Sequence, residues 1–133
     1  MRIKVVTDST SYLDETLVEE LDIAVVPLSV NFEDRSFKET NITNEEFYQI
    51  MDNSFKPPTS SQPSPADFFR TFQEIIEAGR DILGIFISSD LSGTYSSAVA
   101  ARNMILQQHP QARIEILDSR TSAMQMGYTV LAA

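Results

Sequence analysis

Short β-branched and aliphatic runs alternate with segments of helical periodicity along most of this chain, and no other feature constrains its fold as much. Ile3-Lys4-Val5-Val6, Ile23-Ala24-Val25-Val26, Ile82 to Ile87 and Arg113-Ile114-Glu115-Ile116-Leu117 each have the length and composition of a strand. Between them, Leu13, Leu17, Val18 and Leu21 recur at helical spacing, with Asp14 and Glu15 expected in the first turn. Phe68, Phe69, Phe72, Ile75 and Ile76 do the same behind an N-cap at Ser64, Pro65 as first helical residue and Asp67 as capping partner, with Gly79 as the stop. A further helix is expected from about Thr94 to Gln108, and another after Ser122 through Tyr128 and Leu131. Strand followed by helix followed by strand favours a parallel sheet with right-handed crossovers. The expected fold is therefore α/β, three layers with a mainly parallel sheet, in one domain over residues 1–133.

One stretch departs from the rhythm. Pro27 breaks the second strand, which resumes as Leu28-Ser29-Val30-Asn31-Phe32 and can form a hairpin with Ser36-Phe37-Lys38. Thr43 with Glu46 three residues on reads as a capping box for a short helix carrying Phe47, Ile50 and Met51 and ending near Asn53. Lys56 to Pro65 is rich in proline, so neither a helix nor a central strand fits it, and a loop is expected. The final helix carries no capping glycine and no terminal cation, so the chain reads as cut within that helix.

Composition narrows the function classes. Nineteen Asp and Glu against ten Lys and Arg give a net charge of −9, with no basic cluster to neutralise a row of phosphates, so nucleic acid is not an expected partner. The absence of cysteine removes disulfide, thiolate and Cys-zinc chemistry, and a reducing, cytoplasmic setting is expected. No apolar stretch approaches the roughly 18 residues of a membrane span, and Met1-Arg2 leads into a strand-like run rather than a signal peptide. No Gly-x-x-x-x-Gly-Lys, Gly-x-Ser-x-Gly or His-x-x-x-His pattern occurs, so a nucleotide site, a nucleophile elbow and a metal site each lack their parts.

The chemistry that remains lies in hydroxyls. In an open parallel sheet ligands bind beyond the carboxyl ends of the strands. Three such ends run into Thr7 to Ser11, Ser88 to Thr94 and Asp118 to Ser122. In Ser92-Gly93-Thr94 a glycine permits close backbone approach while the following helix offers free N–H groups to a carboxylate or phosphate. The competing reading makes Ser92 an ordinary helix cap. Likewise, Thr59-Ser60-Ser61-Gln62-Pro63 is either a ligand loop or a solvated turn, and Asp8 either orients neighbouring hydroxyls or satisfies its own loop amides. His109, the sole histidine, precedes Pro110 at a helix end and has no evident role as a base.

Thr7-Asp8-Ser9, Val26-Pro27-Leu28, Ser60-Ser61-Gln62-Pro63-Ser64, Ser88-Ser89-x-Leu91-Ser92-Gly93-Thr94-Tyr95-x-Ser97-Ala98 and Asp118-Ser119-Arg120 occur in one order and spacing. Together they resemble the DegV family of fatty-acid-binding proteins. The resemblance implies an amino-terminal α/β domain, a second α/β domain absent from this sequence, and a long-chain fatty acid held between the two. It implies that Ser92 and Ser60 hold the carboxylate, Ser60 standing where the family usually has threonine. Thr59 lies one residue earlier as an alternative, and Ser61 and Gly93 would be near neighbours, with Thr94, Asp8 and Ser9 in support. It further implies no cofactor, no catalytic residue and no metal, and, for some members, service to a fatty acid kinase catalytic subunit.

A hydroxyl bond to a charged group contributes about 1.5–3 kcal/mol, a buried methylene about 0.8 kcal/mol, so over a long acyl chain the tail dominates. Weak acyl binding by this chain alone is the expectation, with self-association through an uncovered apolar face. Two other readings stay open: an acyl hydrolase or transferase with Ser92 as nucleophile and a base from elsewhere, and a structural fragment that holds nothing.

Overall fold

The computed structural model describes residues 2–133; Met1, which with Arg2 precedes the first strand-like run, lies outside them. The elements in chain order are β1 (Ile3–Asp8), α1 (Glu15–Glu20), β2 (Ala24–Val26), β3 (Ser29–Asn31), β4 (Ser36–Lys38), α2 (Asn44–Asp52), β5 (Thr59–Ser61), α3 (Pro65–Glu77), β6 (Asp81–Phe86), α4 (Thr94–Gln108), β7 (Ile114–Asp118) and α5 (Ala123–Ala132). β1, β2, β6 and β7 form a sheet of order β2-β1-β6-β7 in which every neighbouring pair is parallel. Such strands need cover on both faces.

They have it. Val6, Val26, Ile82, Phe86, Ile114 and Ile116 point to one side and pack with Phe68, Phe72 and Ile75 of α3 and with Ala98, Ala101 and Ile105 of α4. Val5, Val25, Leu83 and Ile85 point to the other and pack with Val18 of α1 and with Met126 and Val130 of α5. The three-layer α/β arrangement is thus the expected one. Part of this core is aromatic: the Phe68 ring meets Phe86 edge-on at 5.1 Å and Phe72 at 5.8 Å, and all three side chains are fully buried.

The helix ends follow the sequence closely. Ser64 and Asp67 form a complete capping box on α3, and Gly79 adopts φ +80° after its last turn, an angle that disfavours other residues. The Thr43 hydroxyl accepts the Glu46 amide at 3.1 Å, but its partner bond runs to the Glu46 side chain rather than from Glu46 to the cap amide. α1 is narrower than expected. Asp14 is its N-cap rather than part of its first turn, and Leu17 and Leu21 are exposed, because six residues give a face only wide enough for Val18.

Pro27 does more than interrupt a strand: it moves the chain from one sheet to another. Without an N–H it cannot continue the ladder, and β3 restarts in a separate antiparallel sheet of order β4-β3-β5. The β3–β4 hairpin matches the expectation. β5 does not, since it lies inside the proline-rich segment expected to form a loop. Thr59, Ser60 and Ser61 sit between Pro58 and Pro63 with all their backbone donors intact, and they pair with β3 as an edge strand, the one sheet position proline-flanked residues tolerate.

Candidate ligand-binding site

β1, β6 and β7 all end at the same rim of the parallel sheet, and their loops are bonded to one another. Asp8 is the junction. One carboxylate oxygen accepts the Thr10 amide at 2.8 Å and the Thr10 hydroxyl, and the other accepts the Ile87 amide at 2.8 Å. Asp8 therefore satisfies its own loop and, rather than orienting hydroxyls of the neighbouring loops, ties the end of β6 through the Ile87 amide. Burial pushes its carboxyl above the usual carboxylate range, while the bonds from Thr10 and Ile87 oppose that shift. Across the rim, Asp118 accepts the Ser89 hydroxyl at 2.5 Å and the Arg120 amide at 2.9 Å, and the Ser89 bond holds it below its ordinary value.

Ser9 is also committed. Its hydroxyl accepts the Leu28 amide at 2.9 Å and donates to Glu39 at 2.7 Å, so its one proton is already placed. It holds β1 to the Pro27 crossover rather than standing free at the rim.

Ser92 keeps more freedom. The N-cap of α4 is Gly93, not Ser92, yet the Thr94 amide donates to the Ser92 hydroxyl at 3.2 Å, which is much of what a cap does. The two hydroxyls of Ser92 and Thr94 lie 2.8 Å apart, with either able to donate. Thr94 is fully buried and Ser92 half-buried. With Thr94 donating, the Ser92 proton is free to reach an anion outside. Capping and ligand contact are compatible at this residue.

Ser60 comes from the other sheet. It pairs with Val30 on β3 and is exposed, lining an open groove of about 370 Å³ together with Thr59, Thr10, Leu28, Val30 and Phe47. Ser61 faces elsewhere and accepts a bond from Asn31 at 3.2 Å. The segment reaches the Ser92 turn through Gln62, whose side-chain amide lies against the open face of Gly93: a Cβ there would fall 2.3 Å from Gln62 Oε1.

Three contributors escaped sequence reasoning. Glu39 lines the groove and takes the Ser9 hydroxyl; Tyr12 lines it too, its phenol pushed up to about 12 by partial burial and by the Glu39 carboxylate beside it. Gln62 was visible only as part of a motif. None has a spacing signature, because each acts on residues distant in sequence. Among the described residues no group of three or more His, Cys, Asp or Glu side chains converges as a metal site, and no helix is long and apolar enough to cross a membrane.

Comparison with known proteins gives this geometry a context. A family model described as "Uncharacterised protein, DegV family" matches residues 2–133. A DegV domain-containing protein of Clostridium acetobutylicum is 47% identical over 133 residues, covering 100% of this chain and 46% of that protein. The chain thus spans about half the length of the curated relatives it matches. Among solved structures, a DegV family protein from Thermus thermophilus, described for its fatty acid binding, superposes with a TM-score of 0.85 at 38% identity over 99% of this chain and 46% of its own. The fatty acid kinase (Fak) B3 protein of Streptococcus pneumoniae, loaded with linoleic acid, gives 0.83 at 25% identity over 99% of this chain and 47% of its own. By the match over nearly its whole length, this chain belongs to the DegV family.

Proposed function

We propose that this chain is the head-group half of a fatty-acid-binding protein, a non-catalytic amino-terminal domain whose Ser60 and Ser92 hydroxyls hold the ligand's carboxylate. The observation that carries the reading is the seating of Gln62 on Gly93, which draws the segment bearing Ser60 onto the turn bearing Ser92. The half-free Ser92 hydroxyl and the positive end of α4 suit an anion there. Glu39 repels one, which favours the Gln62 end of β5 over the Thr10 end of the groove.

Tyr12 and Tyr48 on the groove and Leu91 beside Ser92 are exposed apolar side chains suited to the walls of an acyl site completed by the rest of a longer parent. In that parent the bound carboxylate would be presented to a fatty acid kinase. The kinship with the linoleate-loaded kinase B3 protein supports this role.

The acyl hydrolase reading would need its base from outside this chain. His109 caps the far end of α4, with the whole fifteen-residue helix, roughly 22 Å, between it and the Ser92 turn, and Asp8 is fully engaged by amides and a hydroxyl.

The test is fatty acid binding by the full-length parent and its Ser60→Ala and Ser92→Ala variants. Each lost bond to the carboxylate should weaken binding by about 1.5–3 kcal/mol, or roughly 10- to 150-fold. Unchanged affinity in both variants would reject the assignment.

A further inference from the structure

Gly93 has φ −80° and ψ 6°, angles open to any residue, so its backbone does not require glycine. Space does. A Cβ at this position would lie 2.3 Å from Gln62 Oε1, 2.6 Å from Nε2 and 2.7 Å from Cδ, all well inside van der Waals contact. The group that exploits the missing side chain is therefore the protein's own amide.

Gln62 is also the junction of two differently held segments. On one side Pro63 is fully buried and Ser64 caps α3. On the other side β5 is an edge strand of three exposed residues whose strand pairing is to β3 alone. Gln62 adds to this pairing a lateral contact with the residue that starts α4. A neutral amide makes that contact without placing a charge beside an anionic guest.

We infer that Gln62 is a positioning residue: seated on Gly93, it clips the end of β5 to the Ser92–Thr94 turn and fixes the spacing between the Ser60 and Ser92 hydroxyls. The inference rests on the head-group reading for its consequence in binding, but the clip itself is a property of the free chain.

Two routes open the clip. Gln62→Ala removes the amide, and Gly93→Ala places a methyl where the amide lies. Since the amide ends a flexible side chain, the methyl displaces it without unfolding the domain, and both variants should melt within about 3 °C of wild type.

Hydrogen exchange on this chain should then show the β5 amides that bond to β3 exchanging about tenfold faster in each variant, with α3 unchanged. The Gln62→Ala/Gly93→Ala double variant should exchange no faster than either single variant, because both remove one contact. Exchange of β5 unchanged in both single variants overturns the inference, as does acceleration spread evenly over α3 and the parallel sheet.

Oleate binding by the full-length parent separates this from the broader reading. Loss in Ser60→Ala and Ser92→Ala, with full affinity in Gln62→Ala and Gly93→Ala, overturns the positioning role and leaves the head-group reading intact. Accelerated exchange in the clip variants with unchanged oleate affinity in both serine variants supports the clip and rejects the serines as carboxylate ligands. Accelerated exchange with about tenfold weaker oleate binding in the clip variants supports the inference in full.

Discussion

The four-stranded sheet is covered on both faces, with Val6, Thr7 and Asp8 of β1 fully buried, whereas all three residues of β5 in the smaller sheet are exposed. Ser92 stands at the mouth of the first sheet, against a fifteen-residue helix and a fully buried Thr94. Ser60 stands on the edge of the second, held by pairing to three residues of β3. One hydroxyl is thus fixed by burial and the other by a few surface contacts. Stability and binding should accordingly respond to different substitutions, since preorganisation of a site is only as good as its looser half.

Truncating an aromatic side chain in each sheet's packing separates the two sheets most directly. Phe72→Ala, in the fully buried cluster beneath the parallel sheet, should cost about 3–5 kcal/mol in urea unfolding. Phe37→Ala on β4, whose ring meets Phe32 at 6.2 Å on a half-buried surface, should cost under about 2 kcal/mol. Equal losses would show the small sheet to be as integral as the large one.

Asp8→Asn comes next, with an expected loss of about 1–3 kcal/mol near neutral pH, because an amide nitrogen replaces an acceptor that now serves Thr10 or Ile87. It also carries a pH signature. Burial raises the folded carboxyl above its unfolded value of 3.8, so folding binds the proton more tightly. The stabilisation from this group is full below that unfolded value and declines as pH rises through the folded one. Urea midpoints measured across this window should lose that component in Asp8→Asn, and an unchanged pH profile would count against the raised carboxyl.

The smallest effect is a cap. Ser64→Ala, at the seam where β5 runs into α3, should lower stability by about 1 kcal/mol by freeing the Asp67 amide, which now donates to Ser64 at 3.1 Å. If the seam helps to hold the small sheet, β5 should exchange faster in this variant while β1 does not.

Much of this architecture was legible in the residues. The boundaries of α4 match the expected Thr94 to Gln108, and the Ser64-Pro65-Asp67 signature marks the start of α3, because caps and periodicity are local interactions written within four residues of one another. Pro27 announced a break, and the Ser36-Phe37-Lys38 hairpin partner was readable nearby. β5 was hidden, since its three hydroxyl residues become a strand only when Ser29, Val30 and Asn31, some thirty positions earlier, offer them a ladder. The rim showed the same divide: its hydroxyls were countable in sequence, while the commitment of Ser9 to Leu28 and Glu39, and of Asp8 to Ile87, was not.

The order of strands and helices, the start and stop of most helices, the lack of thiol chemistry and the motifs of the family were therefore determined by the sequence itself. Tertiary structure alone decided which hydroxyls are spent inside the protein and which keep a free proton, and it alone brought Gln62 onto Gly93. The reason is physical: a turn or cap is selected by neighbours along the chain, but a hydrogen-bond donor is used up by whatever group the fold carries to within about 3 Å of it.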